Sequence, residues 1–203
     1  MRFRDAWAYP HGDPSILQFD RAVRAWGLDL PPGARVLELG CAETDFSMWL
    51  LRADPSIRLV GVDVNDAPDF RGEFIKGAAE AQAFARNSFE AVILLGSLEH
   101  FGLGFYGDPV GLDADMATME RIAEWLVPGG WCYYDVPWTP GRFYITENRH
   151  FRVYDDHTLP IADGLIPKRR AYAHGNDASP CWVRPSEPAV PFWYVSRWLE
   201  KAS

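Results

Sequence analysis

RVLELGCAETDF at residues 35–46, with IRLVGVDVND at 57–66, is the stretch that decides the fold. An aliphatic and β-branched run at 35–39 ends on Gly40, which reads as a short strand closing on a tight turn. Thr44 or Asp45 then caps a helix whose apolar stripe is Phe46, Trp49, Leu50 and Ala53. Asp54 and Pro55 stop that helix, and a second apolar run at 57–62 ends in Asp63. Strand, turn, helix and strand within about thirty residues make a βαβ unit, whose two strands lie parallel.

The same alternation extends in both directions. Upstream, Asp13 and Pro14 have the character of an N-cap and a first helical residue. Ile16, Phe19, Val23 and Trp26 recur at helical spacing, so a helix is predicted over 15–26, broken by LPPG at 30–33. Downstream come a weaker strand at 73–76, a helical stretch at 78–85 and a strand at 91–95 that is apolar on both faces. Met116, Met119, Ala123 and Leu126 mark a further helix from about Asp113, Pro128-Gly129-Gly130 ends it, and 131–136 is the next strand. After Asp155 the pattern changes to a short helix at 155–162 and two strand-like segments, 168–173 and 192–199. Pro180, Pro185, Pro188 and Pro191 lie between these segments. They read as an antiparallel hairpin closing the sheet. The expectation is one α/β unit: an N-terminal helical segment and cover at 1–30, a ligand-binding core at 33–160 and a terminal hairpin at 165–203.

Composition narrows the function. The chain has 203 residues and a net charge of −8, which disfavours a ligand of nucleic-acid type because such binding needs a basic face. The longest apolar stretch, 91–96, is far short of the roughly 20 residues of a membrane span, and the start MRFRDAWAYPHGDP has no apolar signal core. Cys41, Cys132 and Cys181 are odd in number and without CxxC spacing, so they read as reduced thiols of a cytoplasmic protein.

In doubly wound sheets ligands bind beyond the carboxyl ends of the strands. Three polar features fall there. Glu38 and Gly40 flank the first turn, where a glycine admits close approach to the backbone and a carboxylate accepts a hydrogen bond from an amine. Asp63, about twenty residues on, is placed to hold both hydroxyls of a ribose. Gly96-Ser97-Leu98-Glu99-His100 follows the fourth strand.

VLELGCAETDF (36–46), LVGVDVND (59–66), GAAEAQAFARNSFEAVILLGSLEH (77–100) and WLVPGGWCYYDVP (125–137) stand in the order and spacing of class I S-adenosylmethionine-dependent methyltransferases, which the chain resembles over about 33–160. GLGFYGDP at 102–109 also resembles the small methyltransferase-like proteins of glycan and secondary-metabolite clusters. The resemblance implies a Rossmann-like, mostly parallel sheet of seven strands in the order 3-2-1-4-5-7-6, with the last strand antiparallel. It implies S-adenosylmethionine as cofactor. Glu38, Gly40 and Cys41 would lie by its methionine part, Asp63 on the ribose, Val64 and Ala79 by the adenine, and Gly96 by the amino acid moiety. The family's turn has glycines where Ala42 and Thr44 stand, and its usual acidic residue before Glu80 is Ala78 here.

The implied activity is O-methylation of a small molecule or sugar hydroxyl; the alternative is a non-catalytic methyltransferase-like binding domain with a degenerate cofactor site. Glu99, His100 and His150 are the catalytic candidates. Either imidazole is a candidate base for an acceptor hydroxyl. The three together are also a candidate facial site for a divalent metal, as in small-RNA 2′-O-methyltransferases, which carry a further Glu where Gly96 stands. Positioning or structural roles remain the alternative for each, and Asp135 is read as a turn cap. The loops at 101–112 and 138–149, rich in aromatics (Phe101, Phe105, Tyr106, Trp138, Phe143, Tyr144), are expected to wall the acceptor site, with Trp7 and Tyr9 as a cover.

Overall fold

A computed structural model describes residues 1–3, 9, 13–174 and 193–202. Trp7, His11, Cys181 and the four prolines between the last strands lie outside the described residues. Helix α1 (Pro14–Trp26) starts as its sequence requires: the Asp13 carboxylate accepts the Ser15 N–H, and Gly27 closes the helix in the left-handed region. Strands β1 (Arg35–Leu39), β2 (Arg58–Asp63), β3 (Glu73–Lys76), β4 (Phe89–Leu95) and β5 (Leu126–Trp138) pair in parallel. Helix α2 (Phe46–Ala53) connects β1 to β2, and α3 (Ala114–Trp125) connects β4 to β5.

Two short strands, β6 (Tyr144–Ile145) and β7 (Arg152–Val153), form a separate ribbon. Strands β8 (Leu165–His174) and β9 (Trp193–Lys201) complete the main sheet, whose order is β3-β2-β1-β4-β5-β9-β8. With the β6–β7 ribbon left out of the count, this is the expected 3-2-1-4-5-7-6. Strand β9 runs antiparallel to both of its neighbours, β5 and β8.

The sheet is buried on both faces because its strands alternate between two cores. Val36, Ala91, Ile93 and Tyr133 pack under α1 and α2 with Phe19, Phe46 and Trp49. Leu37, Val92, Leu94 and Tyr134 pack under α3 with Met119, Ile122 and Trp125. Burying both faces leaves only the strand ends open to a ligand.

Two predicted helices are absent. Over 78–85 there is a single 3-10 turn at Ala79–Ala81, after which the backbone is extended. Extension brings Phe84 edge-on to Phe89 and Trp125, each 5.1 Å between ring centres, and that burial outweighs the helical preference of five alanines. Over 155–162 the chain forms turns. The Asp155 carboxylate accepts the N–H groups of His157 and Thr158, and Pro160 cannot join a helical ladder.

Candidate active site

At the carboxyl ends of β1, β2 and β4 the chain encloses a cavity of about 280 Å³. Of the residues singled out from sequence, Gly40, Asp63, Val64, Ala79, Gly96, Glu99 and His100 line it. The Gly40 N–H donates to Val62 O at 2.8 Å, and the Gly77 N–H to Asp63 O at 2.8 Å, locking the three strand ends together. Gly40 has φ +78°, and a Cβ there would overlap the Ser97 side chain. Only glycine serves at this position.

Glu38 lies fully buried behind Thr44, off the cavity wall. The Thr44 hydroxyl donates to Glu38 Oε1 at 2.5 Å, while Oε2 has no partner. Burial pushes the carboxyl up to about 8, against the opposing Thr44 hydrogen bond. Thr44 thus fixes the rotamer of the carboxylate and leaves one oxygen unused. Asp63 joins the two turns: its Oδ2 accepts the Ala42 N–H at 2.9 Å and its Oδ1 the Asn65 N–H at 2.8 Å. Cys41 packs beside Gly61 rather than facing the cavity, and burial pushes its thiol well up.

Asp135, read from sequence as a turn cap, is fully buried, and its Oδ1 accepts the Gly96 N–H at 2.9 Å. Burial raises its carboxyl to about 7. Asp45 occupies the N-cap position of α2 without capping it; it accepts the Tyr9 hydroxyl at 2.7 Å instead.

These buried carboxyls make a testable statement about stability. Their folded-state values lie above the ordinary ones, so the folded chain holds protons that the unfolded chain has lost. Their contribution therefore falls as pH rises. His100 works in the opposite sense, but only below its ordinary value of 6.5. The unliganded melting temperature is expected to fall from pH 6.5 to above 8, and Glu38→Gln to flatten that slope. A thermal melt series in which the variant and the parent run parallel would show that Glu38 is already ionised.

At the other end of the cavity stand Phe101, Tyr106 and Asp108. His100 Nδ1 lies 2.5 Å from the His150 carbonyl oxygen, which can only accept, so Nδ1 carries the proton and Nε2 a lone pair. Burial lowers His100 to about 4, so it is neutral. Burial also holds Glu99, 2% exposed, well above the carboxylate range. His150 does not line the cavity; its Nε2 lies 3.3 Å from the Tyr106 hydroxyl, and its ring stacks on Phe105 at 4.1 Å.

The expected facial metal site is not assembled. Among the described residues no three His, Cys, Asp or Glu side chains converge on one point, and Glu99 and His100 approach only to 3.9 Å. The 138–149 loop also departs from expectation. Trp138 is buried in the core at the end of β5, and none of residues 138–149 lines the cavity. Tyr9 is packed edge-on against Trp49 instead of covering the cavity. Sequence reasoning missed Asp13 and Ser15, which line the cavity from the start of α1, and Asp108. Asp13-Pro14 marks a helix start in sequence but carries no sign of which strand ends that start faces.

The cavity wall fits S-adenosylmethionine: a carboxylate at the end of β2 for a diol, a glycine at the end of β1 for close approach to the backbone, and an unpartnered Glu38 oxygen just behind Thr44. A family model for a methyltransferase domain matches residues 16–161. The fold is similar to that of Burkholderia thailandensis 1,6-didemethyltoxoflavin-N1-methyltransferase, solved with 1,6-didemethyltoxoflavin and S-adenosylhomocysteine. That match has 17% identity and a TM-score of 0.60 over 98% of this chain and 94% of that one. It is similar to the [4+2]-cyclase SpnF at 15% identity and a TM-score of 0.68, covering 97% and 86%. It is also similar to the N-methyltransferase NodS of Bradyrhizobium japonicum, solved with S-adenosylhomocysteine, at 13% identity and a TM-score of 0.52, covering 84% and 79%. No curated protein matches the sequence significantly. Among the described residues no helix is long and apolar enough to cross a membrane. On the match over 16–161, with the strand order and the cavity at the strand ends in agreement, the chain belongs to the S-adenosylmethionine-dependent methyltransferases.

Proposed function

We propose that the protein transfers the methyl group of S-adenosylmethionine to a hydroxyl of a small-molecule acceptor. The observation that carries this reading is the strand-end cavity with Gly40 and Asp63 on its wall and, behind Thr44 on that wall, a Glu38 oxygen buried without a partner. A lone buried acceptor of this kind is costly unless a donor arrives with the ligand. The cofactor's ammonium is such a donor, Asp63 takes the ribose hydroxyls, and Val64 and Ala79 line the adenine side.

S-adenosylmethionine supplies an electrophilic methyl carbon on a sulfonium whose leaving group is a neutral thioether. The protein's part is to position the acceptor oxygen and to take its proton. His100 Nε2, a lone pair on the cavity wall, accepts the hydroxyl hydrogen. A base lowered to about 4 cannot ionise an alcohol in advance. His100 would therefore take the proton only as the acceptor oxygen is methylated, not beforehand. His150 orients His100 through its backbone carbonyl rather than acting as base.

Calorimetry with S-adenosylhomocysteine in two buffers of different ionisation enthalpy tests the cofactor site. Glu38 is largely protonated at neutral pH and must ionise to pair with an ammonium, so binding is expected to release about one proton near pH 7. Absence of binding by a folded sample would overturn the reading in favour of a methyltransferase-like binding domain. Binding without proton release would remove Glu38 from the site.

A further inference from the structure

Among the described residues, every charged side chain that lines the cavity is acidic: Asp13, Glu43, Asp63, Glu80, Glu99 and Asp108 contribute carboxylates, none is a lysine or arginine, and His100 is the one basic side chain on the wall. If Glu38 and Asp63 serve the cofactor, two carboxylates beside His100 are left without work. Glu99 is 2% exposed and its Oε2 has no hydrogen-bond partner among the described residues. Asp108 has both carboxylate oxygens shielded from solvent and likewise without a partner.

The nearby cation, Arg152, makes no ion pair with either, and its attraction for Glu99 is outweighed by burial. Arg152 spends its guanidinium on the carbonyl oxygens of Glu99, Phe101 and Leu112 and on Asp115. The carboxylates also share the wall with the rings of Phe101 and Tyr106, and Tyr106 stands edge-on to His100 with ring centres 5.3 Å apart. Carboxylates set among aromatic faces form a box suited to an organic cation, which gains from both the charge and the ring quadrupoles.

We propose that the acceptor carries a protonated amine, held by Glu99 and Asp108 and flanked by the rings of Phe101 and Tyr106. This rests on the cofactor reading above and adds the class of acceptor. The amine is the anchor and not the nucleophile. Carboxylates stabilise the ammonium form, which has no lone pair to attack a methyl carbon, so a hydroxyl of the same molecule remains the methylated group. A phosphorylated or carboxylated acceptor is disfavoured, since it would enter against the wall's other carboxylates and keep Glu99 protonated, where an ammonium would ionise it.

The test uses three probes that share a phenol ring and differ in the charge of the side arm: tyramine, para-ethylphenol and para-hydroxyphenylpropanoate. Affinities are measured by titration of the full chain, first for S-adenosylhomocysteine and then for each probe on the saturated protein. Tyramine is expected to bind about tenfold or more tightly than para-ethylphenol, with the propanoate weakest. Asp108→Asn or Glu99→Gln is expected to bring tyramine down toward the neutral probe. Equal affinities, a preference for the anion, failure of all three to bind, or a tyramine preference untouched in both variants would each overturn the proposal. Failure of S-adenosylhomocysteine to bind refutes the cofactor reading instead. The probes are then compared on unliganded protein, where the same charge preference is still expected.

Discussion

Replacing Arg152 by methionine is expected to destabilise the protein by about 3–5 kcal/mol, the usual loss when one partner of a buried ion pair is removed. Arg152 is 1% exposed. Its Nη1 donates to Phe101 O at 2.7 Å and to Glu99 O at 3.3 Å, and its Nη2 to Leu112 O at 2.8 Å. Its Nε lies 3.5 Å from Asp115 Oδ2, which also accepts the Tyr154 hydroxyl at 2.8 Å. One side chain on the short strand β7 therefore ties down both ends of the segment that carries Glu99, His100, Tyr106 and Asp108. Methionine fills much of the volume but takes the guanidinium donor from three carbonyl oxygens and leaves the buried Asp115 carboxylate with the Tyr154 hydroxyl and no counter-charge. Lysine keeps the charge yet offers a single ammonium in place of a planar fork, so Arg152→Lys should fall between the two. Urea unfolding measures both, and hydrogen exchange should show residues 99–112 losing protection first. A loss below about 1 kcal/mol for Arg152→Met would place the segment's stability elsewhere.

The fold was legible because its signals are local. Short apolar runs, an N-cap before a proline, and glycines at strand ends each act within a few residues, and they place the sheet and α1, α2 and α3. Elsewhere tertiary contact overrode local preference. The alanines of 78–85 yielded to the Phe84 cluster, and the Asp155 turn displaced a helix at 155–162.

The strand-end wall of the cavity was legible for the same reason, since Gly40, Asp63 and Gly96 close their own strands. Thr44 shows the limit of reading by likeness. It stands as a departure from a glycine-rich turn, yet in the structure its hydroxyl is what holds Glu38. The wall beside His100 was only half legible. Arg152 acts on backbone carbonyls forty to fifty residues away, and carbonyl acceptors leave no trace in side-chain identity. The neighbourhood of Glu99, His100 and His150 was foreseen, but not that His150 would serve through its carbonyl and leave its ring to Phe105 and Tyr106.

Asp63→Ala is expected to weaken S-adenosylhomocysteine binding by about two orders of magnitude or more while the chain remains folded. Hydrogen bonds to a charged group contribute roughly 1.5–3 kcal/mol each, and a ribose presents two hydroxyls to this carboxylate. In the unliganded protein each oxygen accepts one backbone N–H, from Ala42 and from Asn65. A carboxylate oxygen has two lone pairs, so one on each remains for the ligand. Alanine removes both ligand bonds and also frees the 41–44 turn from the end of β2, so the loss on binding exceeds what the two bonds alone would give. The cost to stability is smaller, because Asp63 is half-buried and solvent can replace its partners at the rim of the cavity. Asp63→Asn separates the two effects. The amide keeps one acceptor oxygen but turns its NH₂ toward a backbone N–H, so affinity should fall by about tenfold to a hundredfold. Calorimetry gives the affinities and thermal melting the fold. If Asp63→Ala binds the ligand as tightly as the parent chain, the ribose does not lie at the end of β2, and the assignment of the cavity to S-adenosylmethionine fails with it.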